Sequence, residues 1–379
     1  MRFPEFKGEW TKISLNNCCD CFDYGLNEPS VKYDGFNRYL RITDIDDETR
    51  GISLSEPVSP KSFSSEYSVN KGDLLFARTG ASVGKTYLYK PSDGKMYFAG
   101  FLIRAHIKDE FSDKFIYQQT LRQDYKNWVK LMSARSGQPG INSKQYASYN
   151  FFKPEIAEQN KIALFLNDID SRIAMQRKTI EDYENLMNVG INAEYSDKKA
   201  LVKIGLRIIQ SAARNTMNIG NVYSVSNKDG FIPQKDQFDG REVASENTGN
   251  YKIVEKGMFA FNPARINVGS IALYELDNPC VVSPMYICFK PIELNANYLR
   301  YFFRTQSFKK QLHSKLEGSV RQCLSFEALR EFYLPNRSFN HIAKFCDGIH
   351  VLEVKINREK HILESLFGLK HYLLRNLFI

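Results

Sequence analysis

Apolar positions recur along this chain in two rhythms. From residue 162 they fall at Ile162, Leu166, Ile169, Ile173, Ile180, Tyr183, Met187 and Ile191, with Gln176 in the one polar slot. A second run holds Ile342, Phe345, Ile349, Leu352, Ile356, Leu363, Leu366, Leu373 and Leu377, interrupted by Glu359 and Lys370. Steps that alternate four and three make the seam of a coiled coil. About 38 residues at about 1.5 Å each predict a helix of roughly 57 Å in both places. Elsewhere the apolar runs are short and bounded by glycine. Asp73–Ala77, Thr86–Tyr89, Val281–Val282 and Met285–Phe289 read as strands. Phe115–Met132 and Asn297–Leu316 read as amphipathic helices.

These elements occur in the same order twice. Gly72, Phe76, Gly84 and Tyr89 match Gly257, Phe261, Gly269 and Tyr274 at one offset of 185. Gly137 and Pro154 match Gly318 and Pro335, and Ile162, Ala163 and Phe165 match Ile342, Ala343 and Phe345. A period near 180 residues is too long for a solenoid. It predicts a duplicated unit of one domain followed by one long helix. The expected segments are 1–155, 156–195, 196–336 and 337–379. The fold class is α+β: two globular domains of mainly antiparallel strands plus helices, separated by an antiparallel pair of coiled-coil helices, with an internal pseudo-twofold repeat.

Charge adds a partner to this outline. The 379 residues carry 52 Lys+Arg against 43 Asp+Glu, a net of +9. The excess is concentrated. Residues 114–153 hold seven basic groups and one acid, and residues 300–330 hold seven and two. Clustered Lys and Arg bind phosphates and release counterions, so two such stretches at matching places suggest two nucleic-acid footprints. No apolar run reaches the roughly 18 residues of a bilayer span. The opening segment lacks a signal-peptide core, so a cytoplasmic location and no membrane partner are expected. The seven cysteines show no repeated spacing and read as core thiols.

Several catalytic motifs begin and fail. Thr79–Thr86 ends in Gly-Lys-Thr like a phosphate-binding loop, yet Thr79 stands where glycine is needed and a strand follows instead of a helix. Asn262–Arg265 starts like the Asn-Pro-Pro-aromatic motif of DNA methyltransferases but lacks the second proline and the aromatic. Asp347, Glu353 and Lys355 sit within a predicted helix, at a spacing that suits a solvated face. Cys18, Cys19 and Cys21 lack the second pair that a structural zinc site requires. No catalytic residue and no metal site is assigned.

Particular segments resemble a known family. Arg2–Trp10 with its Arg-Phe-Pro-Glu-Phe opening, Tyr39–Ile45, Gly72–Gly80 with Gly84-Lys85, and Pro154–Ala163 leading into a long helix are similar to the specificity (S) subunit of type I restriction–modification systems. The resemblance spans essentially the whole chain. In the second copy Arg337–Asn340 replaces the Ala-Glu-Gln motif, and residues 196–215 lack the Phe-Pro-Glu-Phe opening. The resemblance implies two target recognition domains, each reading one half of a bipartite asymmetric DNA sequence, in a phage-defence system. It implies that the helices set the spacing and dock modification (methyltransferase) subunits, two in number, with restriction (translocase/nuclease) subunits joining through the complex. The chain is then non-catalytic, with S-adenosylmethionine, ATP and Mg on partner subunits and none held here. Two other readings are a stand-alone DNA-binding or scaffold protein without a methyltransferase partner, and an NTPase built on Gly80–Thr86.

Base edges are read by side chains that donate or accept with defined geometry. On the glycine-hinged loops these are Arg78, Thr79, Ser82, Lys85, Arg135, Ser136, Gln138 and Asn142 in the first copy. In the second they are Asn262, Arg265, Asn267, Ser319, Arg321 and Gln322. Lys126, Lys130, Lys309, Lys310 and Lys315 are expected to hold phosphates and set register.

Overall fold

A computed structural model of the chain describes residues 2–53, 55–134, 137–227, 229–234, 248–316 and 323–378. It divides into two compact units: Met1–Arg177 with His361–Ile379, and Lys178–Lys360.

The first unit is built on a four-stranded antiparallel sheet. Its strands run in the order Cys19–Tyr24, Leu102–Ile107, Asp73–Ala77, Thr86–Leu88. Alternation along a strand sends neighbours to opposite faces, and here both faces are covered. Leu74 and Phe76 join one core with Phe115, Tyr125 and Val129 from the helices. Leu75 and Ala77 join another with Leu40, Met96 and Phe98. Burial on both sides explains why Asp73–Ala77 reads as a nearly continuous apolar run. The second core carries a parallel pair, Arg38–Leu40 against Met96–Phe98, which the sequence reading did not foresee.

The second unit repeats this plan. Its corresponding sheet has the order Ile208–Ser211, Ile287–Pro291, Phe259–Phe261, Ile271–Leu273. It too has a parallel pair, Val222–Ser226 against Cys280–Val282. Gly72, Gly84, Gly257 and Gly269 all have positive φ, between 82° and 95°, so the matched glycines mark the same left-handed turns. Phe76 and Phe261 are both fully buried. Tyr89 N donates to Asp73 O at 3.0 Å, and Tyr274 N donates to Met258 O at 2.8 Å.

One expected helix is two in each unit. Phe115–Met132 is split into Asp113–Gln119 and Gln123–Met132, and Asn297–Leu316 into Ala296–Phe302 and Gln306–Lys315. A threonine stands at each break. Thr120 Oγ1 donates to Tyr117 O at 2.7 Å. Thr305 Oγ1 donates to Phe302 O at 2.7 Å and caps the next helix by accepting from Phe308 N at 3.1 Å. Side-chain capping of this kind competes with a continuous helix, and an apolar period cannot reveal it.

The two long helices span Ile156–Glu194 and Phe339–Asn376. Each contributes a segment to each unit. In the first unit Ile162, Leu166, Ile169 and Ile173 share a core with Leu373, Leu374, Leu377 and Phe378, and Asp170 pairs with Lys370 at 2.5 Å. Lys370, an interruption in the seam, is thus matched by an acid. In the second unit Lys360 pairs with Glu184 at 2.7 Å, and the Lys355 ammonium lies 5.0 Å from the Tyr183 ring centre. The helices run antiparallel within each unit: Asp170 meets Lys370 and Arg177 meets Phe367 in the first, and Glu184 meets Lys360 and Glu194 meets His341 in the second. No described helix is long and apolar enough to cross a membrane.

Candidate nucleic-acid interface

The hairpin Asp73–Ala77/Thr86–Leu88 carries the loop 78–85. Several fastenings fix this loop. Gly84 N donates to Tyr146 Oη at 3.0 Å, and that hydroxyl donates to Ala77 O at 2.7 Å. The helix Gln123–Met132 presses on it so closely that a Cβ at Gly84 would lie 2.5 Å from Val129 Cγ1. Gly80 N donates to Pro139 O at 2.9 Å, Ile141 N to Arg78 O at 2.9 Å, and Arg78 N to Phe101 O at 3.0 Å. The ladder brings Arg78, Thr79, Gln138 and Asn142 to one edge of the first unit. Ser82 lies on the 3₁₀ turn Gly80–Ser82 of the same loop.

At that edge a cleft of about 480 Å³ is lined by Tyr24, Arg41, Arg78 and Phe101, among others. The Arg78 guanidinium carbon sits 4.8 Å from the centre of the Tyr24 ring. Such stacking holds an arginine extended while leaving its donors free. Tyr24 Oη accepts from Ser143 N at 3.2 Å. Hydrogen bonds from Ser143, then the charges of Arg78 and Lys144, hold the Tyr24 phenol below its ordinary pKa. Tyr24 is 43% exposed and Phe101, at the tip of a turn, 59%. Neither was among the residues expected from the sequence. Strand alternation carries no sign of an aromatic left outside, and only the turn at Gly100 could have flagged Phe101.

Other expected residues have local duties. Lys85 is 6% exposed; its Nζ donates to Ile45 O at 2.9 Å and meets Asp47 at 2.6 Å. Asn142 caps the helix Ser143–Ala147 by accepting from Gln145 N at 2.9 Å. Lys126 and Lys130 stand exposed on the helix beside the loop.

In the second unit Asn262 is buried. Its Oδ1 accepts from Ala264 N at 3.1 Å, and its Nδ2 lies 3.6 Å from Met285 Sδ. Arg265 and Asn267 are exposed at the turn Ile266–Val268, and Lys309, Lys310 and Lys315 on the helix Gln306–Lys315. Here the helix does not press on the glycine: the nearest atom to a Cβ at Gly269 is Asn227 Cβ, at 3.6 Å. A groove of about 810 Å³ lies there, lined in part by Phe231, Asn267, Arg304, Phe308 and Lys309. Arg135, Ser136, Ser319, Arg321 and Gln322 lie outside the described residues. Among the described residues no group of three or more His, Cys, Asp or Glu is placed to hold a metal ion.

Comparison with known proteins gives this arrangement a context. Residues 18–184 match the family model for the type I restriction modification DNA specificity domain. The S subunit of a type I restriction–modification system from M. genitalium has the same fold, with a TM-score of 0.60 at 16% identity, covering 98% of this chain and 96% of that one. A chain from a structure concerned with complex assembly and conformational transition of the type I R-M system gives 0.56 at 13% identity, over 97% of this chain and 96% of that one. Curated protein sequences yield no match. The chain thus matches a type I DNA specificity domain over residues 18–184 and has the fold of an S subunit along its length.

Proposed function

We propose that each unit reads one half of a split, asymmetric DNA target, as part of a type I complex. The observation that carries this reading is the repeat itself. Each unit places a glycine-hinged hairpin loop beside a lysine-bearing helix, and each adds one stretch of both long helices. One reader would need one such loop; a bipartite target needs two. The exposed lysines supply sequence-independent phosphate contacts, and the loop side chains supply base readout.

The long helices then set the spacing of the half-sites and dock two modification subunits, through which restriction subunits join. The chemistry belongs to those partners: S-adenosylmethionine for adenine methylation, ATP and Mg for translocation and cleavage. This chain contributes recognition without catalysis and works in the cytoplasm.

The test is a map of methylated adenines across the genome, in cells that hold the chain with its modification subunit and in cells that lack the chain. A bipartite motif that vanishes with the chain is the expected result. A map unchanged by its removal, from a complex shown to be assembled and active, would overturn the proposal.

A further inference from the structure

One cation in the first unit has no evident reason to be where it is. Arg50 is half-buried and has φ = 57°, a left-handed backbone that costs an L-residue roughly 1–2 kcal/mol. Its backbone N donates to Asp46 O at 3.1 Å, closing a turn whose Asp46 carboxylate accepts from Glu48 N and Thr49 N. Among the described residues, no carboxylate forms an ion pair with its guanidinium. The acids nearby are engaged elsewhere: Asp47 with Lys85, Glu48 with Arg177, Asp170 with Lys370.

Two cavities meet at this side chain. One, of about 300 Å³, is lined by Arg50, Gly84, Lys85, Lys126 and Lys130, among others. The other, of about 460 Å³, shares Asp47, Arg50 and Lys126 and adds Glu48, Glu364, Lys370 and His371. Burial, then the charges of Arg50 and Lys370, hold the Lys126 ammonium below its ordinary pKa. In the first cavity four cations, Arg50, Lys85, Lys126 and Lys130, face one acid, Asp47. An excess of positive charge around a half-buried guanidinium attracts an anion.

We propose that Arg50, Lys126 and Lys130 form a phosphate-binding pocket that seats one phosphodiester of the DNA backbone beside the loop 78–85. The pocket accepts a phosphate group, for which a planar guanidinium and two ammonium groups are matched donors. Its place beside Ser82 and Gly84 would set the register of the loop on the duplex, without reading sequence. This assignment rests on the DNA-reading function proposed above for its source of phosphate, but not for the pocket itself.

The experiment uses the full chain and duplex DNA of arbitrary sequence, titrated over a series of salt concentrations, with Arg50→Gly and Lys126→Gln as variants. Glycine relieves the left-handed strain, so loss of folding does not confound that variant. Each variant should flatten the slope of log affinity against log salt by about one, the value for one lost phosphate contact. In a second arm inorganic pyrophosphate should raise the melting temperature of the wild type and not of either variant. Unchanged slopes with a pyrophosphate response confined to the wild type would keep the pocket and assign it to a soluble phosphate compound. Unchanged slopes with equal or absent pyrophosphate responses would overturn it. A wild type that binds pyrophosphate but no DNA would count against the DNA-reading function alone.

Discussion

The guanidinium of Arg2 forks onto the carboxylate of Glu158, Nε to Oε1 at 2.8 Å and Nη2 to Oε2 at 2.7 Å, and Glu158 is fully buried. The opening segment is thereby clasped to the first turns of the first long helix. Lys161 pairs with Glu5, and Phe3 meets Phe165 edge-on at 6.0 Å. The two segments most characteristic of the family resemblance, Arg2–Phe6 and Pro154–Ala163, are thus partners in space. In the second unit the clasp has the opposite sign: Glu194 meets Arg337 Nε and His341 Nε2, each at 3.0 Å. Arg2→Ala should lower the unfolding midpoint, because it leaves a buried carboxylate without its cation. Glu158→Gln in the same chain should recover part of the loss. A double variant as unstable as the sum of the singles would show that the two residues are not coupled.

Gly84 and Gly257 share nearly the same φ, 82° and 87°, but not the same surroundings. At Gly84 a Cβ meets Val129 at 2.5 Å, while at Gly257 nothing lies within 4 Å. Gly257→Ala should cost only the conformational penalty, about 1–2 kcal/mol. Gly84→Ala should cost distinctly more, since loop and helix must part. Urea unfolding of both variants measures the difference; equal losses would mean that the Val129 contact is relieved without cost.

Arg78 lies over Tyr24 in a cleft at the loop edge. Arg78→Ala should relax base preference in one half of the target and leave the other unchanged, at about 1–3 kcal/mol for a lost bidentate base contact. Tyr24→Leu, which keeps the arginine but removes its platform, should give a weaker effect in the same half. The methylated-adenine map of each variant reads this out. Relaxation in both halves, or in neither, contradicts the placement of Arg78 as a reader.

Burial pushes the thiols of Cys18, Cys280 and Cys288 up to about 12, and that of Cys346 up to about 11. These four should label slowly with iodoacetamide at pH 7.5 and rapidly in urea, because the thiolate is the nucleophile. The sign of the linkage follows. Above the ordinary pKa of 9.0 the unfolded chain releases thiol protons that the folded chain keeps. Stability therefore falls as pH rises from about 9 to about 12. Melting temperatures across that range test it, and a flat profile would contradict the shifts.

Sequence alone determined the repeat, the α+β class, the two long helices and the places of the glycine-hinged loops. These are local or periodic properties. A left-handed turn needs glycine wherever it occurs, as at Gly72 and Gly257, and a coiled-coil seam repeats its spacing whatever its partner. The basic helices were legible in the same way, since composition survives any fold. The tertiary structure decided what each polar residue does. It turned Lys85 inward to Asp47, made Asn142 a helix cap, broke one helix at Thr120 and another at Thr305, and left Tyr24 and Phe101 outside. It also assembled Arg50 with Lys126 and Lys130 from segments some 75–80 residues apart. Such outcomes depend on which segments meet in space, and one-dimensional spacing holds no record of those meetings.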